Sequence, residues 1–472
     1  MLNRYRSLAA LLSILCCFSF ATSLVEATEV NSDATTAAES SNPTTDPSLI
    51  QTSDHTEVST TIESSTAVSE FQTFENSTTT ESTSTVVQEG LPIDENNFPD
   101  PEFRAYIKKY FDNDKNDYLS DSERLAVKNI KVSESFYNAE DLITNFKGLE
   151  HFPSLETFNC SYNEVATLDL SQNPALTTLI CNENILTSLT VSNNPNLKIL
   201  ECANNQLTEL NISNNSQLTE LQCYNNQLTT LDLTNNPNLT RVDCYYNQLT
   251  TLALDNLSVL NRLACSHNKL TALDLSDTTN LVTLDCDSNL LTNLILDSLA
   301  SLTWLSCAHN NLSELDVTSN ITLEELYCSG NDLQQLNLAN NASLVYLSCE
   351  RNNLTSLDLT PLANLTWVSC AQNNIAALDL SQNIQLSWLN CSQNKLEQLE
   401  LTTNTALSGI ECDNNRLTSL DLNPTTCGWL KCQNNQYEIS IEENRTFDLS
   451  TLPGQFDPNK TSAWIGGSIE GN

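Results

Sequence analysis

Basic residues are scarce: 20 Lys and Arg stand against 59 Asp and Glu in 472 residues, a formal net charge of -39. A chain of that sign gains no counterion-release affinity from a phosphate backbone and is not held on an anionic membrane, which excludes nucleic acid as a partner. Cysteine, at 17 residues, falls far short of the density of a small disulfide-stapled scaffold. Glycine is limited to 9 residues while Leu and Asn dominate, a bias that argues against dividing the length into about three ordinary domains. After residue 20 no long apolar run recurs, so no later segment is expected to span or anchor in a membrane. Neither a hydrophobic tail nor a sortase-type sequence is evident, Leu452-Pro453-Gly454 being only superficially similar to one.

What is present divides the chain into five parts. Arg4 and Arg6 precede an apolar stretch from Leu8 to Phe20, and small residues follow at Ala21, Ser23 and Ala27, so residues 1–27 read as a secretory signal. Residues 28–90 hold 28 Ser or Thr in 63, with eleven acids and no Lys or Arg. Such a segment buries too little apolar surface to offset its chain entropy, and its uniform charge extends it into a disordered, acidic stalk. From Leu91 onward 18 basic and 47 acidic residues remain, so the remainder is itself at -29. Residues 91–154 form an N-terminal cap, 155–440 a repeat array, and 441–472 a C-terminal cap or a truncated following module.

From Leu155 the chain restarts every 21 residues as L-x-x-L-x-C-x-x-N-x-L-x-x-L-x-L, for example LTELQCYNNQLTTLDL from Leu218 to Leu233. The cysteines are Cys160, Cys181, Cys202, Cys223, Cys244, Cys265, Cys286, Cys307, Cys328, Cys349, Cys370, Cys391, Cys412 and, one residue early, Cys432. An Asn stands three residues after each, from Asn163 through Asn226 to Asn435. A fixed short period means stacked units, each unable to bury its apolar face alone. The Asn amides are placed to bond backbone groups of neighbouring turns where the chain leaves each strand.

This pattern resembles the leucine-rich repeat, with Cys in place of the middle Leu. The resemblance implies a curved α/β-type solenoid of 14 repeats, with a parallel concave β-sheet, short convex segments and a small helical N-terminal cap. The cysteine ladder is similar to that of a subset of the internalins, which are bacterial surface proteins. That likeness implies an adhesin or host-interaction role, with a surface glycoprotein such as a mucin as the kind of target, and a secreted, extracellular or cell-surface location.

In-register strands hold equivalent inward side chains about 4.8 Å apart, whereas a disulfide needs Cβ atoms near 3.8 Å. The ladder is therefore expected to be free thiols serving as small apolar core residues, and donors on one line cannot surround a metal tetrahedrally. Cys427 occupies the leading Leu position of the last repeat, where it can pair locally.

The segment DNDKNDYLSDSE, Asp112 to Glu123, resembles an EF-hand calcium loop. The resemblance implies Asp112, Asp114, Asn116, the Tyr118 carbonyl, Ser120 through a water and Glu123 as ligands for a calcium ion. Asp117 stands where the sharp turn normally has Gly. Helical spacing of Phe103, Ile107 and Phe111, and a start at Ser122, predict flanking helices.

The residue two after each leading Leu faces out of the sheet. That stripe carries Trp304, Tyr346, Trp367, Trp388 and Trp429, four of the five Trp in the chain, with Tyr224, Tyr245, Tyr246 and Tyr327 beside it. Large rings on an exposed sheet suit an interface or a sugar-stacking platform, and the bland alternative is cross-strand stiffening. No nucleophile, base and orienter assemble: His267 and His309 lie two repeats apart, roughly 10 Å by strand spacing. The expectation is a monomeric, non-enzymatic binding protein that recognises a protein or glycoprotein on the concave face. A calcium-stabilised carbohydrate-binding module at the producer's own envelope is the alternative.

Overall fold

A computed structural model of the protein describes residues 90–133 and 142–436. The signal, stalk and C-terminal segments expected at 1–27, 28–90 and 441–472 lie outside those residues, Gly90 apart. The cap begins with strand β1 (Leu91–Pro92), which pairs antiparallel with β2 (Tyr118–Leu119). Helix α1 (Pro101–Tyr110) starts where Asp100 accepts the amides of Glu102 and Phe103 with Oδ1, and Pro101 presets the first turn. The other Asp100 oxygen accepts the Thr144 amide at 2.9 Å, tying the helix start to the chain leading into the repeats. Helix α2 (Asp121–Ala126) opens with a capping box between Ser120 and Glu123.

The cap is more than helical. Strand β3 (Asn129–Lys131) pairs parallel with Thr157–Asn159, Ile130 opposite Phe158, so the cap supplies the first strand of the main sheet. Its aromatic core then continues into the first coil, with ring centroids 5.0 Å apart from Phe103 to Phe146 and from Phe146 to Phe158. The open edge of the stack is thereby covered both by backbone pairing and by apolar packing. Gly148, at φ 112°, lies so close to Phe98 that a Cβ there would stand 2.3 Å from the ring.

The main sheet has 15 parallel strands in chain order, β3 followed by one three-residue strand per repeat, from Thr157–Asn159 to Trp429–Lys431. Each strand is followed by its Cys, and every Cys from Cys160 to Cys412 is at most 1% exposed. The opposite side of each coil is closed by pairs such as Leu168 and Leu170, as the second apolar pair of the repeat predicts. On that side Thr230–Asp232 and Thr251–Ala253 form a separate parallel pair of strands.

Two polar ladders run through this core. In the expected one, Asn226 donates from Nδ2 to the carbonyls of Cys202 (3.0 Å), Cys223 (3.1 Å) and Tyr224 (3.3 Å), while its Oδ1 accepts the Leu207 amide (2.9 Å). The repeat pattern did not bring out the second. Asn173, Asn194, Asn215, Asn236, Asn320, Asn341, Asn383 and Asn404 are fully buried on the far side of the coils. Each donates to two carbonyls; Asn215, for instance, reaches those of Val191 (3.0 Å) and Asn194 (2.8 Å). Thr278 takes the equivalent place in one coil and Leu257, Leu299 and Leu362 in others.

Candidate functional site

The strand geometry places the aromatic stripe where the alternation predicts. In every three-residue strand of the main sheet but the last the middle side chain is buried, and the first is open to solvent in nearly every coil. Trp304, Trp367 and Trp388 are half-buried, whereas Tyr346 and Trp429 are exposed. Strand register sets Tyr346 beside Trp367, and Trp367 beside Trp388. Trp304 also meets Tyr327 of the next coil, with ring centroids 5.7 Å apart.

The tyrosines ahead of this stretch form a second group. Tyr224 and Tyr245 stack at 4.4 Å with an interplanar angle of 6°, Tyr246 stands edge-on to Tyr245 at 5.8 Å, and Tyr246 stacks on His267 at 4.2 Å. Burial comes first in pushing Tyr224 and Tyr245 above the usual phenol range, and it lowers His267. The nine aromatics expected at the face thus resolve into an N-terminal Tyr-His stack and a C-terminal tryptophan-rich stretch.

On the coils of the Tyr-His stack and the one after them lies an electrostatic feature that composition did not reveal. Asp243, 2% exposed, is clasped by Arg241 Nη2 at 2.5 Å and by Arg262 Nε at 3.1 Å. Two coils beyond Asp243, Asp285 accepts from Ser266 Oγ at 3.0 Å and from the Asp287 amide at 3.3 Å. Burial raises the Asp285 carboxyl, and burial together with Asp285 pushes Asp287 up to about 7. The sequence signal for all five charged residues was their place at strand positions one and three or just after the Cys.

No disulfide joins any of the fifteen described cysteines, and thirteen of them are buried. Burial pushes Cys202, Cys328 and Cys370 up to about 12 and the rest of the buried column upward as well. The last rung departs from the pattern. Cys432 is half-exposed, and Cys427 donates to the Trp429 carbonyl at 3.0 Å rather than pairing with another cysteine.

In the cap loop, Asp112 is 5% exposed and its two oxygens accept the amides of Asn116 and Asp117, both at 3.1 Å. Asn116 bonds the Tyr118 amide at 2.7 Å and donates to Asp114 at 2.9 Å. Glu123 accepts the Asn113 amide at 2.8 Å, and from Ser120 both the amide and the hydroxyl. Burial alone would raise Glu123, but these bonds outweigh it and hold its carboxyl below the usual range. Oxygens of Asp112, Asp114 and Glu123 all lie within 4.8 Å of one another, a span that one ion with oxygen ligands at about 2.3–2.6 Å would fill. Lys115 (φ 58°) and Asp117 (φ 68°) both adopt left-handed backbone, so Asp117 makes the turn without Gly, and Lys108 pairs with its carboxylate.

In-register coils with a Cys and an Asn column define a leucine-rich-repeat protein. The functional domain of InlJ from Listeria monocytogenes, described as including a cysteine ladder, is similar at 34% identity and a TM-score of 0.68, covering 73% of this chain and 76% of that one. The chain belongs to the internalin family, in its cysteine-ladder form. YopM, a leucine-rich effector protein from Yersinia pestis, matches at 29% identity and a TM-score of 0.53 over 61% of this chain and 79% of the other. An internalin, InlF, from Listeria monocytogenes shares the fold at 20% identity and a TM-score of 0.58, over 75% of this chain and 100% of that one. No protein-family model and no curated protein matches the chain.

Proposed function

We propose that this protein is a secreted or surface-displayed binding protein of the adhesin type, which recognises a protein or glycoprotein on the concave face of its sheet and acts as a monomer. The observation that carries this reading is the solvent-facing run of Trp304, Tyr346, Trp367, Trp388 and Trp429 on a sheet whose every backbone position is fixed by its neighbours. Rings held on rigid strands offer large contact area at small entropic loss, the requirement of an interface core. Secretion rests on the charged, apolar and small-residue sequence of residues 1–27. No helix among the described residues is long and apolar enough to cross a membrane. Binding rather than catalysis is the activity on this reading.

The test is a pull-down of host surface proteins alongside a glycan array, with wild type and with Trp367→Ala combined with Trp388→Ala. Loss of the captured partner at an unchanged melting temperature is expected, and unchanged capture would remove the face from the interaction. Calcium at the cap loop is a second part of the reading, favoured by the convergence of Asp112, Asp114 and Glu123. Asn116, Tyr118 and Ser120 complete its proposed ligand set. Calorimetric titration with calcium should give heat that disappears with Asp112→Ala plus Glu123→Ala; heat unaltered by that pair of changes, or none at all, rules the ion out.

A further inference from the structure

Charge on the sheet face is compensated unevenly along the solenoid. The Asp243 carboxylate is paired with both Arg241 and Arg262. Beyond it the face carries Asp285, Asp287, Glu325 and Glu350, and among the described residues no Lys, Arg or His nitrogen lies within ion-pair distance of any of the four. Their hydrogen bonds come from neutral groups: Tyr327 Oη to Glu325 at 2.9 Å, Ser369 Oγ to Glu350 at 2.8 Å, and Ser266 Oγ to Asp285. The Oδ1 atom of Asp287 is buried with no hydrogen-bond partner among the described residues.

The surroundings of the two aspartates are small and partly aromatic. Register places Ala264 and Ser306 on either side of Asp285. Ser266 and Ala308 hold the matching places around Asp287, whose carbonyl accepts the His267 amide at 2.9 Å. One coil further stands Trp304 with Tyr327 against it. Partly desolvated carboxylates without an ion-pair contact, beside half-exposed rings, favour a group that brings positive charge on an apolar stem.

We propose that the C-terminal stretch of the face, from Asp285 to Trp429, docks a basic, extended segment of a protein partner, with a lysine or arginine side chain seated against Asp285 and Asp287 beside Trp304 and Tyr327. This rests on the reading of the sheet face as the recognition surface and specifies the partner's chemistry. The commitment follows from charge complementarity: the chain from Leu91 onward is at -29, and an anionic glycan or acidic peptide would meet the unneutralised carboxylates with like charge. The rings downstream would carry the aliphatic stems of further basic residues.

The test is fluorescence anisotropy with the full chain and three labelled probes: a peptide of alternating lysine and serine, its glutamate and serine counterpart, and a neutral glucan oligosaccharide. The lysine peptide should bind, weaken as salt rises, and weaken about ten-fold with Asp285→Asn plus Asp287→Asn. The exposed pair Asp358→Asn plus Asp379→Asn, on the far side of the coils, should leave it unchanged and so separates docking from general attraction to an acidic protein. Equal binding of both peptides, a preference for the neutral oligosaccharide, or equal losses in the two double variants would overturn the proposal. A partner whose capture depends on Trp367 and Trp388 but not on Asp285 and Asp287 would overturn the charge assignment alone. Capture that ignores both pairs would overturn the reading of the face itself.

Discussion

The indole of Trp388 occupies the space that a side chain at residue 409 would need: a Cβ on Gly409 would stand 2.1 Å from Cζ3 and 2.2 Å from Cε3 of the ring. Register sets the two side by side in adjacent strands. The glycine is therefore a seat for the ring rather than a backbone requirement. Gly409→Ala should push the half-exposed ring toward solvent, red-shifting tryptophan emission and weakening partner capture several-fold. The stability loss should stay below about 1 kcal/mol, because the ring can swing outward. Unchanged emission would show that the seat is not needed.

Asn226 makes four bonds to buried backbone groups, two of them to the preceding coil. Asn226→Ala should cost about 2–4 kcal/mol, because it strands several backbone partners at once. Cys223→Ala at the same rung should cost only about 1 kcal/mol, the loss of a small apolar contact. Urea unfolding compares the two, and the Asn variant should also broaden or split the transition by uncoupling the stack at that coil.

Thiol reactivity should divide along the same column. Under native conditions maleimide is expected to label the half-exposed Cys427 and Cys432, and to reach the thirteen buried thiols only after denaturation. Mass spectrometry counts the adducts. Rapid native labelling at Cys286, which is fully buried, would mean that the coils open far more readily than their packing implies.

Asp287 gives stability a pH dependence of unusual sign. Its folded value of about 7 lies above the ordinary unfolded value of about 3.9, so between them the folded state holds a proton that the unfolded state has released. Its contribution is then neutral below about pH 4, grows more destabilising as pH rises, and levels off above about 7. The charged groups acting here are Asp285 directly, and Arg262 and His267 through Asp285. Asp287→Asn should add about 1–3 kcal/mol at pH 8 and nothing near pH 4, measured by urea midpoints. Equal gains at both pH values would contradict the linkage.

The solenoid could be read from the sequence because every core position of a coil lies within 21 residues and recurs. Leu221, Cys223 and Asn226 each predict their own burial, and the fourteen-fold period multiplies the signal. The second polar ladder was obscured because Leu257, Thr278, Leu299 and Leu362 interrupt it. The Arg241–Asp243–Arg262 clasp is a relation between neighbouring coils, so it emerges only once strand register is known. The aromatic stripe follows from strand alternation, but its partition into a Tyr-His stack and a tryptophan stretch depends on ring orientations that spacing does not encode. The cap's third strand was missed because Asn129-Ile130-Lys131 is too short to carry a pattern.

Two residues after every Cys of the ladder the backbone turns left-handed, at Tyr162, Glu183, Asn204, Asn225, Tyr246, His267, Ser288, His309, Gly330, Arg351, Gln372, Gln393, Asn414 and Asn434. Only one of the fourteen is Gly, although this conformation costs other residues about 1 kcal/mol or more. The bend is held by the Asn that follows, whose amide reaches back to the carbonyls of the Cys and of the residue after it, so the residue at the bend is released from choosing its own conformation. The rim of the sheet is in effect a row of interchangeable sockets, where chemistry can be rewritten one coil at a time while the stack beneath stays the same.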